Sequence, residues 1–202
     1  NPNTASAYAC KGAALLALTD DNSNYEDYEP AIECFDRAIE IEPDKPGVLY
    51  NKGRALSQVS WFEFDEEGKR KVNEEALECF DKAIKIDPND AHANFAKSLV
   101  LKDLGRLEES IKCMDDALKI EPDNVMFLDF KGNTLVEIGK LTESFNCFEK
   151  ITQIDPNNAR AWYNKGTSCI AVGRAEEGAT CLEKTMEIDS TVLKKAHFPK
   201  DS

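Results

Sequence analysis

The sequence contains no apolar run near the ~18 residues that a membrane span requires. Nor does it open with the basic and then apolar segments of a secretory signal. Histidine is scarce: His92 and His197 are the only two, 105 residues apart, and neither lies beside a credible nucleophile. No Ser/His/Asp or Cys/His set can be assembled from them, so no catalytic constellation emerges and the chain is expected not to be an enzyme. No C-x-x-C pair occurs and no segment supplies ligands at metal spacing, so neither metal nor cofactor is expected. Positive charge is short as well: 25 Lys and Arg stand against 38 Asp and Glu, a formal net charge of −13. That balance repels phosphate backbones and anionic lipid, which argues against nucleic-acid and membrane partners; the excess acid is read as a solubility device.

What the chain does have is repetition. Three stretches, 91–124, 125–158 and 159–192, align without a gap at a spacing of 34 residues. Two more, 5–45 and 46–90, align once insertions of 7 and 11 residues are allowed, near 19–27 and near 60–72. Every copy carries two apolar patterns with helical spacing, and the first four close on a proline: Pro43, Pro88, Pro122 and Pro156. A proline there cannot continue a helix. Gly105, Gly139 and Gly173 fall between the two helices of the later copies, where a tight turn needs positive φ. Residues 1–4, NPNT, match the closing four residues of a copy, such as DPND at 87–90. With no initiator Met present, they are expected to be the end of a preceding repeat or to follow a processed segment. Residues 193–202 are expected to form a C-terminal cap and tail.

Further columns repeat in register. Gly12, Gly53, Gly132 and Gly166, with Ser98 standing in once, precede a small residue on the second helix: Ala31, Ala76, Ser110, Ser144 or Gly178. An apolar residue follows it: Phe35, Phe80, Met114, Phe148 or Leu182. On these residues the chain resembles the tetratricopeptide-repeat family, whose pattern is W-x₂-L-G-x₂-Y, A-x₃-F and P. The resemblance covers nearly the whole chain. It implies an all-α, right-handed α-α solenoid of about five stacked helix-turn-helix repeats, with first helices lining a concave face.

Ile41, Ile86, Ile120, Ile154 and Ile188 share a column and are expected to form a continuous core between repeats. Cys34, Cys79, Cys113, Cys147 and Cys181 share another. Packed helices lie about 8–10 Å apart and a disulfide needs Cα atoms about 4.4–6.8 Å apart. The thiols are therefore read as small buried filler, which suits a reducing, cytoplasmic setting. Lys11, Lys52, Lys97, Lys131 and Lys165 form a third column, where the family more often has Leu. The expectation is that each stem packs on a neighbour while the ammonium reaches water; the competing reading is a ladder for an acidic ligand. The segment 20–27 opens like a calcium loop but has Tyr25 and Ala31 where Gly and Glu are required, so an acidic loop is expected.

The resemblance implies a protein or extended peptide bound along the first helices. Carried over by position, the groove is lined by Tyr50 and Arg54; by Phe95, Leu99 and Lys102; by Met126, Asp129, Asn133 and Val136; and by Arg160, Tyr163, Thr167 and Ile170. Tyr50, Phe95 and Tyr163 share one position and are expected to recur as aromatic platforms. The carboxylate clamp of chaperone-binding relatives is disfavoured: its middle slot holds Asn51 once but Ala96 and Phe130 otherwise. The 11-residue insertion carries Trp61, Phe62 and Phe64 outside every repeat position. With Tyr25 and Tyr28 these form a candidate second interface for homo-oligomerisation or docking. Alternatively the first helix runs on, and the aromatics pack against a second helix lengthened back to about Gly68. Packing is the favoured expectation, because exposed aromatics invite aggregation. A regulatory repeat domain of a longer enzyme is a further alternative.

Overall fold

The computed structural model describes residues 4–19, 25–62, 65–189 and 192. Among them are ten α-helices and no strand. Two compact units divide the chain, Asn1–Ile120 and Glu121–Ser202. The first unit holds α1 (Ala5–Leu18) with α2 (Tyr25–Ile41), α3 (Pro46–Val59) with α4 (Glu66–Ile86), and α5 (Ala91–Asp103) with α6 (Leu107–Ile120). The second holds α7 (Val125–Glu137) with α8 (Leu141–Ile154) and α9 (Ala159–Ala171) with α10 (Ala175–Ile188). In each unit the two helices of a pair pack on each other, and each second helix packs on the next first helix. This is the all-α, stacked-pair arrangement of a tetratricopeptide-repeat solenoid.

Local chemistry sets the helix limits. The second helices α2, α4, α6 and α8 each end two residues before a proline. Four of the five first helices start on side-chain caps, where Thr4, Asp90, Asn124 and Asn158 accept from Ala7, Ala93, Phe127 and Ala161 amides, and α3 starts on Pro46 instead. Each cap satisfies an N–H that the helix itself cannot. The likeness of NPNT to DPND therefore has a physical source at its fourth residue, the cap; residues 1–3 lie outside the described set. Gly105, Gly139 and Gly173 adopt φ of 72°, 76° and 83°. Around Gly105 the amides of Gly105 and Arg106 donate to Lys102 and Leu101 carbonyls, both at 2.8 Å. This is the paired bonding that ends a helix on a left-handed residue.

Inside each pair the packing explains the glycine column. A Cβ on Gly12, Gly53 or Gly132 would come within 2.7–2.8 Å of the ring of Phe35, Phe80 or Phe148. These rings are wholly buried, so only a hydrogen fits beneath them. In the third pair the residue is Ser98, and there a pliable Met114 replaces the ring. One turn on, Ala38, Ala83, Ala117, Ile151 and Thr185 are all buried.

The isoleucine column is a correction. Ile41, Ile86 and Ile154 are 48%, 39% and 40% exposed, and Ile120 and Ile188 are half-buried. They are the last residues of their helices and stand at the rim. The core runs instead through the aromatic and alanine columns. The cysteine column is buried in all five copies, with free thiols.

The second insertion is only partly helix extension. The first helix α3 stops at Val59, a 3₁₀ turn follows at Ser60–Phe62, and α4 reaches back to Glu66. Asp65 caps it, accepting from the Gly68 amide at 2.7 Å. Thus the lengthened second helix forms and the lengthened first helix does not. In the first insertion Tyr25–Asp27 join α2, whereas residues 20–24, including most of the calcium-like segment, lie outside the described set, as do residues 193–202.

Candidate binding surfaces

In the first unit Tyr50 is half-buried and its ring lies 6.1 Å from that of Phe80. The Arg54 guanidinium covers it at 5.7 Å. Burial raises the Tyr50 hydroxyl pKa, partly offset by Arg54. Tyr50 therefore shares its surface between the core and the outside. Phe95 and Lys102 are half-buried and Leu99 is exposed. Burial raises the Asp103 carboxyl pKa against the pull of Lys69 and Lys102.

In the second unit the expected residues form a connected polar set. Arg160 meets Asp129 at 3.4 Å, from α9 to α7. The Asn164 amide donates to Asn133 Oδ1 at 3.4 Å, and Asn133 donates to the Asp129 carbonyl at 2.8 Å. Thr167 donates to the Asn164 carbonyl at 3.0 Å. Asn133, Arg160, Tyr163 and Asn164 open onto a cleft of about 710 Å³, completed by Asn157, Asn158, Ala159, Ile188, Asp189 and Val192. Met126, Val136 and Ile170, three expected groove residues, are exposed apolar side chains. Sequence reasoning missed the asparagines at 157, 158 and 164, although Asn164 repeats the slot of Asn51.

At the insertion edge the aromatics part company. Tyr28 is buried at 6% and packs on Phe62, ring centroids 6.1 Å apart. Phe62 is 37% exposed and Trp61 62%, with the Lys69 ammonium 5.3 Å above the Trp61 ring. Phe64 and the Tyr25 side chain lie outside the described set.

Three members of the lysine column, Lys52, Lys97 and Lys165, are held in ion pairs and form no open ladder. Lys52 bridges Asp36 at 2.8 Å and Glu75 at 2.9 Å, Lys97 meets Asp81 at 2.5 Å, and Lys165 meets Glu149 at 3.4 Å. Asp36, Asp81 and Glu149 each belong to the second helix of the preceding pair. Burial works against the charge of Lys52, but the hydrogen bonds it donates to Asp36 and Glu75, with their negative charge, outweigh it and hold its pKa well above the ordinary lysine value. Among the described residues no helix is long and apolar enough to cross a membrane.

Family models for the tetratricopeptide repeat match residues 91–124, 128–158 and 147–178. The model for the plant-specific mitochondrial import receptor subunit TOM20 matches residues 1–105, just over half of the chain. No curated protein sequence matches. Among solved structures, a MamA protein is similar at TM-score 0.77 and 15% identity, covering 100% of both chains. MamA from Desulfovibrio magneticus RS-1 is similar at 0.72 and 18%, covering 93% of this chain and 96% of that one. YrrB, described as a TPR protein with an unusual peptide-binding site, is similar at 0.75 and 20%, covering 96% and 90%. At such identities these likenesses speak for the fold. The chain belongs to the tetratricopeptide-repeat family, and over residues 1–105 it is similar to the plant-specific mitochondrial import receptor subunit TOM20.

Proposed function

We propose that the chain is a non-catalytic, cytoplasmic scaffold that binds an extended peptide or partner segment on its first helices. The observation that carries this is the second unit's cleft, where Asn133, Asn164, Arg160 and Tyr163 stand together at the opening. Carboxamides both donate and accept, as recognition of a peptide backbone requires. An arginine and a tyrosine are the side chains that most often dominate such contacts. In the first unit Tyr50, Arg54, Phe95, Leu99 and Lys102 take the corresponding role. Peptides selected from a random display library on the wild-type protein test this. Removing one carboxamide or guanidinium, by Asn133→Ala, Asn164→Ala or Arg160→Ala, is expected to weaken the selected peptide by about 2–10-fold each. Wild-type affinity in all three variants would place the binding elsewhere.

The likeness of residues 1–105 to an import receptor subunit supports a narrower reading, in which the partner is a targeting segment. Mitochondrial transit peptides are amphipathic, arginine-rich and poor in acid. A chain of net charge −13 would draw them in electrostatically, and binding would weaken steeply with salt. Titrating a basic amphipathic peptide against its charge-neutral counterpart checks this; equal affinities would exclude it. The exposed Trp61 and Phe62 support an assembly role for the insertion edge beside peptide binding. Trp61→Ala with Phe62→Ala should then lower the solution mass, and an unchanged mass with a lower Tm would assign both rings to packing.

A further inference from the structure

The same place on the second helix bears a short-range ion pair in three of the five copies. Arg37 meets Glu40 at 2.8 Å in α2, Lys119 meets Asp116 at 2.7 Å in α6, and Lys184 meets Glu187 at 2.8 Å in α10. In α8 the equivalent Lys150 instead reaches back to Asp123 at 3.0 Å. In α4 the pair is Lys82 and Lys85, two cations three residues apart, and among the described residues neither forms an ion pair. Asp44, placed before α3 as Asp123 is before α7, does not take up Lys82. Like charges at this spacing are mildly destabilising on a helix, so the local chemistry alone gives no reason to keep both.

Beside these two ammonium groups lies a pocket of about 510 Å³ in the first unit. Its apolar wall is Ile39 from α2, Pro43 from the following turn, and Leu49 and Ile86 from α3 and α4. Leu49 is buried and forms the floor, whereas Ile86, Lys82 and Lys85 are exposed at the mouth. Lys52 and Asp36 also border it but are already paired with each other. Asp44 also borders it, so a carboxylate entering here is attracted by Lys82 and Lys85 and repelled by Asp44. With Ile86, Lys82 and Lys85 exposed at its mouth, the pocket can take a side chain presented by a larger chain.

We propose that this pocket, remote in sequence and chemistry from the carboxamide cleft, docks an acidic segment of a partner protein by taking up one aliphatic side chain while its flanking carboxylates pair with Lys82 and Lys85. The occupant is complementary in both respects: an apolar wall for the side chain and two unneutralised cations on an otherwise acidic molecule. A short fluorescent peptide with a central leucine flanked by glutamates is the probe, with glutamines in place of the glutamates as its control. The decisive variant is Lys82→Asp, which rebuilds the opposite-charge pair of α6 and leaves the fold undisturbed. It is expected to weaken the glutamate peptide about tenfold, and the glutamine peptide should bind wild type about as weakly. Asp44→Asn should tighten binding, and Arg160→Glu, in the other unit, should leave it unchanged. Equal binding of both peptides, or full binding by Lys82→Asp, would overturn the proposal. Loss of binding in Arg160→Glu would also overturn it, by assigning the peptide to the carboxamide cleft. Sedimentation of the protein alone provides the last check: self-association abolished by Lys82→Asp would show the occupant to be a second copy and refute a foreign partner.

Discussion

Gly53 and Gly47 lie on the same helix and should respond to alanine with opposite sign. A Cβ at Gly53 would stand 2.8 Å from Phe80 Cε1 and 2.9 Å from Cζ, where ordinary contact begins at 3.4 Å. The ring would have to retreat by over half an ångström, yet Phe80 is wholly buried against α5. Overpacking of this kind costs about 1–3 kcal/mol, and the helix propensity gained by alanine returns about 1 kcal/mol. A net loss of up to about 2 kcal/mol is expected from the difference of these two terms. At Gly47 nothing lies within 4 Å, so alanine there should gain about 0.4–1 kcal/mol through the unfolded chain. Urea titration in a Trp162→Phe background, where Trp61 reports on the first unit, measures both. With a urea m-value of about 1–3 kcal/mol/M, the two midpoints should separate by about 1 M. A third protein isolates the cause. Gly53→Ala with Phe80→Met reproduces the Ser98 and Met114 pairing of the third copy, so much of the loss should be recovered through coupling of the two sites. If Gly53→Ala is as stable as Gly47→Ala, the ring does not require the glycine and the account of that column fails.

Three further outcomes are expected. Asn73 is fully buried with neither amide atom bonded to any described residue, at a place where the other copies have Tyr28, Leu107, Leu141 and Ala175. Asn73→Leu should therefore stabilise the first unit by about 1–3 kcal/mol, and a lower Tm would show that the amide is satisfied. A disulfide reagent should titrate the exposed Cys10 at once and the six buried thiols only on unfolding; fast reaction of a second thiol in the native protein would contradict the packing. Burial pushes the Cys79 thiol up to about 11, from about 8.5 in an unfolded chain. The unfolded state loses that proton first, so stability is full below the unfolded value and falls as pH rises toward 11. Cys79→Ala should flatten the decline, and an unchanged slope would remove Cys79 as its source.

The helix pairs were legible because their determinants are local or strictly periodic. The left-handed glycines at 105, 139 and 173, the prolines and the Gly/Phe pairing each repeat in register, and each has one physical use. Periodicity alone misled at the isoleucines. A residue recurring at the last turn of a helix is repeated because the turn is repeated, and exposures of 39–48% at Ile41, Ile86 and Ile154 put it at the rim. The insertion was legible as an aromatic cluster but not as a division of roles, since only the turn at Ser60–Phe62 buries Tyr28 under Phe62 and leaves Trp61 outside. The carboxamide cleft was half legible. Asn133, Arg160 and Tyr163 follow from helix position, whereas Asn157 and Asn158 reach it from a connecting turn, whose course no helical period describes.

The lysine column shows how a charge pattern acts across a boundary that sequence comparison treats as a seam. Its acidic partners also recur, at Asp36, Asp81 and Glu149, but each lies 16 residues earlier, on the second helix of the preceding copy. An exposed pair of this kind contributes little, about 0–1 kcal/mol. Here the cationic side is shielded, with only 13% of the Lys52 side chain and 12% of Lys165 accessible. Shielding strengthens the pairing and makes the alternative costly, because a lysine left at the junction without its acid is a partly desolvated, unpaired charge. The stability of a stacked-repeat protein is close to a sum of repeat and nearest-neighbour terms. A charge satisfied by the preceding copy, in part even at Lys52, which Glu75 of its own pair also holds, therefore acts on the neighbour term and favours the native stacking register. On this reasoning the acid of the second helices is not surplus: part of it holds the next copy in place. The same reasoning marks Lys82 and Lys85 as different in kind, since they are the cations at that place in the repeat that neither their own helix nor the preceding turn takes up.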